Sequence, residues 1–124
     1  MSTSRKHLLL WGAVILWSAV IFTMSSIPGS NLPGGYSWQG HLTEYAIFSA
    51  LLFFAIRLDR PPLQAAILAV LIASVYGVTD EFHQSFVPLR TPDPLDWLTD
   101  TAGAAIAVGL ILFGIGYRVR TKRQ

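Results

Sequence analysis

Four long apolar stretches with few charges decide what this sequence can fold into. They cover approximately residues 7–25, 41–57, 62–82 and 96–117. A bilayer core about 30 Å thick is crossed by roughly 20 helical residues, so each stretch predicts a membrane-spanning helix. Only 13% of the 124 residues are charged, about half the share in soluble domains, and one small soluble core could not bury this much apolar surface. We therefore predict an all-α, integral membrane four-helix bundle that forms a single domain over residues 1–124.

The connections between the stretches carry residues that end helices. Proline and glycine recur between Ser25 and Gly40, which predicts a connection without helix. Residues 57–62 form a short polar turn, and the three prolines within residues 85–94 predict a stiff, extended loop. The sequence has no cysteine, which excludes disulfides and thiolate metal sites.

The basic residues predict the orientation of the bundle. Four spans place both termini and the central turn on one side, and that side holds eight of the nine lysines and arginines: Arg5, Lys6, Arg57, Arg60, Arg118, Arg120, Lys122 and Arg123. The positive-inside rule therefore predicts cytoplasmic termini at the cell membrane. Because topology explains the basic residues, we expect no nucleic-acid partner. The first stretch is too long and its cleavage pattern too poor for a signal peptide, so we expect a retained anchor.

The acidic residues lie on the other side. Of seven carboxylates, only Asp59 falls in the central turn, and six are predicted at the outer ends of the spans with two histidines: Glu44, Asp80, Glu81, Asp93, Asp96, Asp100, His41 and His83. Glu44 precedes Arg57 by 13 positions, or about 20 Å of helix, which predicts that it is submerged in the bilayer. A charge at such depth costs about 2.5–3.5 kcal/mol unless it faces the bundle interior or water.

Helical spacing places these polar residues on three stripes, one for each of the last three spans. The stripes are His41, Glu44, Tyr45 and Phe48; Asp80, His83 and Gln84; and Asp96, Asp100, Gly103 and Ala107. Small residues below the acids of the fourth span favour close helix approach. We predict that the stripes face one another and form a polar pocket open to the outer surface.

Several of these residues also have simpler interpretations. Asp96 is placed to cap the fourth helix, and Asp93 has the surroundings of a solvated loop acid. Trp38 and Trp97 are typical of the aromatic belt at a membrane interface.

The polar motifs together resemble those of the VanZ-like membrane proteins. The matching residues are Ser25-Ser26-Ile27-Pro28, His41 with Tyr45, Asp80-Glu81, His83-Gln84, Phe86-Val87-Pro88-Leu89-Arg90, Asp96, Asp100 and Gly103. Two positions depart from the pattern. Trp38 stands where many members carry a lysine, which removes an anion contact. Leu89 stands where many carry a glycine, which disfavours a left-handed turn.

The resemblance implies work at the outer face of the cell envelope, because the family is named for a protein linked to resistance to the glycopeptide teicoplanin. We expect a lipid-linked, peptidoglycan-related or glycopeptide ligand beside the lipid bilayer. Candidate catalytic residues are His41, Glu44, Asp80, Glu81 and His83, with Glu44 or Asp80 as general base and His83 as proton shuttle. Candidate ligand-binding residues are Tyr45, Gln84, Arg90, Asp96 and Asp100.

The sequence is compatible with four functions. An enzyme would use a carboxylate and a histidine in acid–base chemistry, and the same acids and histidines are ligands for a divalent metal, although no known metal motif matches. A binding protein would recognise an envelope ligand without chemistry. A proton-coupled transporter would need an oligomer and an inner polar path that the spans lack. In a structural role, the polar residues would only lock the helix ends together.

Overall fold

The computed structural model describes residues 2–31 and 38–122, and the regular secondary structure among these residues is helical, with no strand. The elements are α1 (Thr3–Ser25), a 3-10 turn at Gly29–Asn31, α2 (Trp38–Ile56), α3 (Pro62–Gln84) and α4 (Pro94–Thr121). All four predicted helices are confirmed, and each observed boundary lies within four residues of the predicted one.

Two boundaries correct the sequence prediction. Helix α2 begins at Trp38, so Trp38, Gln39 and Gly40 are helical rather than part of the connection; glycine costs little in the first turn of a helix, where backbone N–H groups have no helical partner. The rest of that predicted connection, residues 32–37, lies outside the described residues. Helix α4 begins at Pro94 rather than residue 96, because proline suits the first turn of a helix.

Side-chain and backbone contacts show that successive helices run antiparallel. His7 Nε2 on α1 lies 2.9 Å from Asp59 Oδ2 between α2 and α3. At the opposite end, the Gly29 N–H donates to the Pro88 carbonyl over 3.1 Å. We call the end with both termini and the α2–α3 turn the basic end. The other, where α2 and α4 begin, we call the acidic end. Arg123, one of the eight clustered basic residues, lies outside the described residues.

Helix α2 lies at the centre of the bundle, in contact with α1, α3 and α4. Eight of its 19 residues are buried, whereas α1 buries only Val14, Ile21 and Ser25. Near the acidic end α2 and α4 pack closely, because a Cβ on Gly103 would overlap the Leu42 carbonyl. The core towards the basic end is apolar and includes Leu52, Phe53 and Val108.

Helices α1, α3 and α4 are each long and apolar enough to cross a membrane. Their outward faces carry large apolar side chains that are more than half exposed, such as Leu16, Val75 and Phe113. Apolar surface on this scale is typical of lipid contact rather than of a soluble monomer. α2 is not among the helices of the described residues that meet this criterion, because its first two turns carry His41 and Glu44.

Candidate functional site

A buried histidine–aspartate pair joins α2 to α4 at the acidic end. His41 Nδ1 lies 3.0 Å from Asp100 Oδ1, and neither side chain is more than 4% exposed. The other ring nitrogen of His41 faces the partly exposed Asp96, with Nε2 and Oδ2 3.7 Å apart, an ion-pair distance beyond hydrogen-bond range. The imidazole therefore lies between a buried and a partly exposed carboxylate. This is how a carboxylate orients a histidine for proton transfer.

Tyr45 lies one turn below His41 and is completely buried. Asp80 and Asp100 are the charged groups that act most strongly on its hydroxyl. That hydroxyl and Asp100 Oδ2 are both buried without a hydrogen-bond partner among the described residues. An unsatisfied buried polar group costs about 1–3 kcal/mol, so these two atoms need a partner that the described protein does not supply.

Helix α3 contributes a second buried pair to the same level of the bundle. Gln84 Nε2 donates to Asp80 Oδ2 over 3.0 Å, and both side chains are buried. The pair follows the i, i+4 spacing of one helix face. It satisfies one oxygen of Asp80 and fixes the carboxylate beside α2.

Glu81 holds the start of α4. Its Oε2 accepts the Asp93 N–H over 2.8 Å, and Asp93 Oδ1 in turn accepts the Leu95 N–H over 2.9 Å. Asp93 is therefore the N-cap of α4, which corrects both earlier interpretations: Asp93 is not a simple solvated acid, and Asp96 is not the cap. Asp96 lies in the first turn instead, where its carboxylate is free to approach His41.

Glu44 is half-buried on α2, on the side nearer to α1. Its backbone carbonyl accepts the Trp17 indole N–H over 3.0 Å. Its carboxylate still acts electrostatically on His41 and Tyr45. Glu44 thus adds a carboxyl group to those that act on His41 and Tyr45.

His83 does not join His41 and the carboxylates between α2, α3 and α4. Its Nε2 lies 3.0 Å from Ser26 Oγ, and its ring stacks on Phe22 with centroids 4.4 Å apart. Both partners belong to α1 or its end, whereas Asp80 and Gln84 face α2 and α4. The predicted stripe on α3 is therefore split, and His83 fixes α1 to α3.

The loop between α3 and α4 makes the left-handed turn that the sequence disfavours. Leu89 has φ of 59°, and the Arg90 N–H donates to the Val87 carbonyl over 3.2 Å. Proline at the second position and positive φ at the third are the features of a type II turn. Gly29 presses against Leu89, and a Cβ on Gly29 would overlap the Leu89 carbonyl. This packing holds Leu89 in a conformation that glycine adopts more easily. The half-buried Arg90 follows it, with Nε and Nη2 shielded from solvent.

The described residues contain no group of three or more histidines and acids arranged to hold a metal ion. One reason is that the two ring nitrogens of His41 face different carboxylates, so the imidazole bridges the acids instead of sharing a centre with them. The second histidine, His83, lies against α1.

The family model described as VanZ/LLP1 matches residues 10–115. The chain belongs to this family. No curated protein and no solved structure matches it.

The VanZ-like motif residues form two groups in space. The first group lies between α2, α3 and α4 and consists of His41, Tyr45, Asp80, Gln84, Asp96 and Asp100, all of them buried except the partly exposed Asp96. Together with Glu44 and Glu81 it forms what we call the acidic cluster. Ser26, His83 and the turn before Arg90 fasten α1 and the α3–α4 loop.

Two residues next to the cluster were not singled out as site residues from the sequence. Gly77 precedes Asp80 by one turn, and its missing side chain leaves room for Asp100 and Tyr45. Trp97, interpreted as an interfacial aromatic, is half-buried and donates its indole N–H to the Ser74 carbonyl over 3.1 Å. A glycine one turn from a buried acid is the signal that points to such a contact.

Proposed function

We propose that this VanZ-family chain is an integral membrane protein of four spans with cytoplasmic termini. Its acidic cluster receives a cell-envelope ligand from the outer leaflet, and this contributes to tolerance of teicoplanin. The orientation is supported by the charges, because the basic end carries Arg5, Arg57 and Arg118 while six of the seven acids lie towards the acidic end.

One observation carries the ligand-binding proposal. Asp100 Oδ2 and the Tyr45 hydroxyl are fully buried beside the His41–Asp100 pair and have no partner among the described residues. Interhelical polar contacts in bilayers average only about 0.6 kcal/mol, while each unsatisfied polar group costs about 1–3 kcal/mol. A purely structural clasp would not leave two such atoms unpaired, whereas a site that pairs them with ligand atoms would.

The arrangement suits acid–base chemistry on the bound ligand. Asp100 orients the His41 imidazole, and Asp96 at the surface can exchange protons with the outside. The core below Ser49, whose hydroxyl donates to the Ala104 carbonyl over 3.2 Å, is apolar and offers no polar route towards the basic end among the described residues. This favours work at one membrane face over transport across it.

The test uses matched histidine–aspartate pairs at the two ends of the bundle. His41→Gln and Asp100→Asn are expected to abolish teicoplanin tolerance in a sensitive host, with the protein still present in the membrane. His7→Gln and Asp59→Asn remove a pair of similar length, 2.9 Å, at the basic end and are expected to retain tolerance. Tolerance and membrane abundance are measured for every variant.

Two results would contradict the proposal. If tolerance falls only in proportion to membrane abundance in all four variants, the acidic cluster is a structural clasp. If the unmodified chain confers no tolerance, the link to teicoplanin is wrong.

A further inference from the structure

Three groups of different chemistry meet at Gly77 on α3. A Cβ built on this glycine would lie 3.3 Å from Asp100 Oδ2, 3.3 Å from Trp97 Cδ1 and 3.5 Å from Tyr45 Cε1. One carboxylate oxygen and the edges of two aromatic rings therefore pack closely around Gly77. Of these groups, Asp100 and Tyr45 are completely buried.

The ionisable groups around Gly77 are mostly acidic. The carboxylates of Glu44, Asp80, Glu81 and Asp96 act electrostatically on His41, Tyr45 or Asp100. Within the buried pair the only basic group is the His41 imidazole, and its Nδ1 already contacts Asp100 Oδ1. Charges at low dielectric interact far more strongly than in water. An anionic ligand group would be repelled here, and a cation would relieve the mutual repulsion of the acids.

We propose that the acidic cluster binds a primary ammonium group. This inference rests on the proposed function and names the ligand chemistry of the same site. An ammonium carries three N–H donors, which can pair with Asp100 Oδ2 and the Tyr45 hydroxyl oxygen.

Other ligand groups match this site less well. A quaternary ammonium has the charge but no N–H to donate to Asp100 Oδ2. A neutral hydroxyl can donate but leaves the carboxylates unneutralised. The matching chemistry occurs in aminolipid headgroups and in free amines of envelope sugars and peptides, and the experiment separates these two sources.

The first measurement compares three small probes with the same two-carbon frame. The full chain is placed in nanodiscs of phosphatidylcholine and titrated by calorimetry with ethanolamine, choline or ethylene glycol. Ethanolamine is expected to bind at least about tenfold more tightly than either of the others, a difference of about 1.4 kcal/mol. Equal binding of all three probes, or no binding of ethanolamine, would overturn the proposal.

Variants locate the binding at Gly77. Asp100→Asn removes the negative charge, Tyr45→Phe removes the hydroxyl, and Gly77→Ala narrows the space next to Asp100 Oδ2. Each is expected to weaken ethanolamine binding, with the largest loss in Asp100→Asn. The controls are Asp59→Asn at the basic end and Gly109→Ala, whose added Cβ would meet nothing within 4 Å. Unchanged affinity in correctly folded Tyr45→Phe and Gly77→Ala would place the bound amine elsewhere and refute this site.

The lipid arm identifies the source of the amine. In nanodiscs that contain phosphatidylethanolamine, added ethanolamine should show weaker apparent binding if the lipid headgroup occupies the site, and unchanged binding if a soluble amine is the ligand. The tolerance assay distinguishes the two levels of the proposal. If His41→Gln abolishes tolerance at normal abundance while no amine binds, the ligand site stands and its ammonium specificity fails.

Discussion

Replacing Gly103 with alanine tests how closely α2 and α4 approach at the site. The added Cβ would overlap the Leu42 carbonyl oxygen and lie 3.0 Å from its carbon, whereas carbon atoms pack at about 3.5–4.0 Å. The obstructing atoms are backbone and cannot rotate away, so the two helices must separate by roughly 1 Å. Overpacking of this kind costs about 1–3 kcal/mol, and the better helix propensity of alanine returns about 1 kcal/mol. Since the contact is with backbone, we take the upper end of that range and expect a net loss of about 2 kcal/mol.

The separation would also act on the His41–Asp100 pair. Leu42 follows His41 directly, and Gly103 lies one turn after Asp100, so moving the helices apart lengthens the 3.0 Å contact. A further 1 Å or so takes it beyond hydrogen-bond range. Gly103→Ala should therefore lower both thermal stability and ethanolamine binding.

The assay is thermal unfolding in detergent micelles, followed by circular dichroism, beside the Gly109→Ala control in the same helix. A Cβ at Gly109 has open space around it, so this control should be neutral or gain up to about 1 kcal/mol. If Gly103→Ala unfolds at the same temperature as Gly109→Ala, the close approach of α2 and α4 is wrong, and so is the placement of the pair.

Two further predictions concern the α3–α4 loop and the orientation. Leu89→Gly should stabilise the protein by about 0.5–1 kcal/mol, because relief of the left-handed conformation at φ 59° exceeds the entropy cost of glycine. Leu89→Ala keeps the Cβ and should give no gain in stability. Equal melting temperatures for the glycine and alanine variants would contradict this prediction. The chain has no cysteine, so single introduced cysteines report topology directly. In intact cells a membrane-impermeant maleimide should label cysteines placed at Ser30 and Thr91 but not at Thr3 or Thr121. The reverse labelling pattern would mean that the proposed orientation is inverted.

The helices were predictable because the membrane imposes a simple rule on composition. Apolar stretches of sufficient length, interrupted by proline and glycine, gave all four elements. The errors lie at helix starts, where local capping decides the boundary. Pro94 begins α4 and Asp93 caps it. From the sequence alone, Asp93 and Asp96 are equally suitable N-cap residues.

The sequence predicts the height in the bundle at which the polar side chains lie, but not which of them contact one another. Positions three and four residues apart lie about −60° and +40° from the starting residue around the helix axis. His83 and Gln84 are therefore about 100° apart on α3, enough for His83 to contact α1 while Gln84 bonds Asp80. A stripe defined by helical spacing is too broad to separate these directions when the rotation of the helix in the bundle is unknown.

The position of α2 explains how a membrane protein can keep so many acids at one level. This helix carries His41, Glu44 and Tyr45, and it contacts the other three helices and buries the largest share of its residues. Polar residues within a membrane are tolerated when they face the bundle interior. Within the acidic cluster, the His41–Asp100 and Gln84–Asp80 contacts satisfy part of the polar groups. The part they leave unsatisfied, at Asp100 Oδ2 and the Tyr45 hydroxyl, lies among buried side chains. In the function that we propose, it pairs with a polar ligand group that enters from the acidic end.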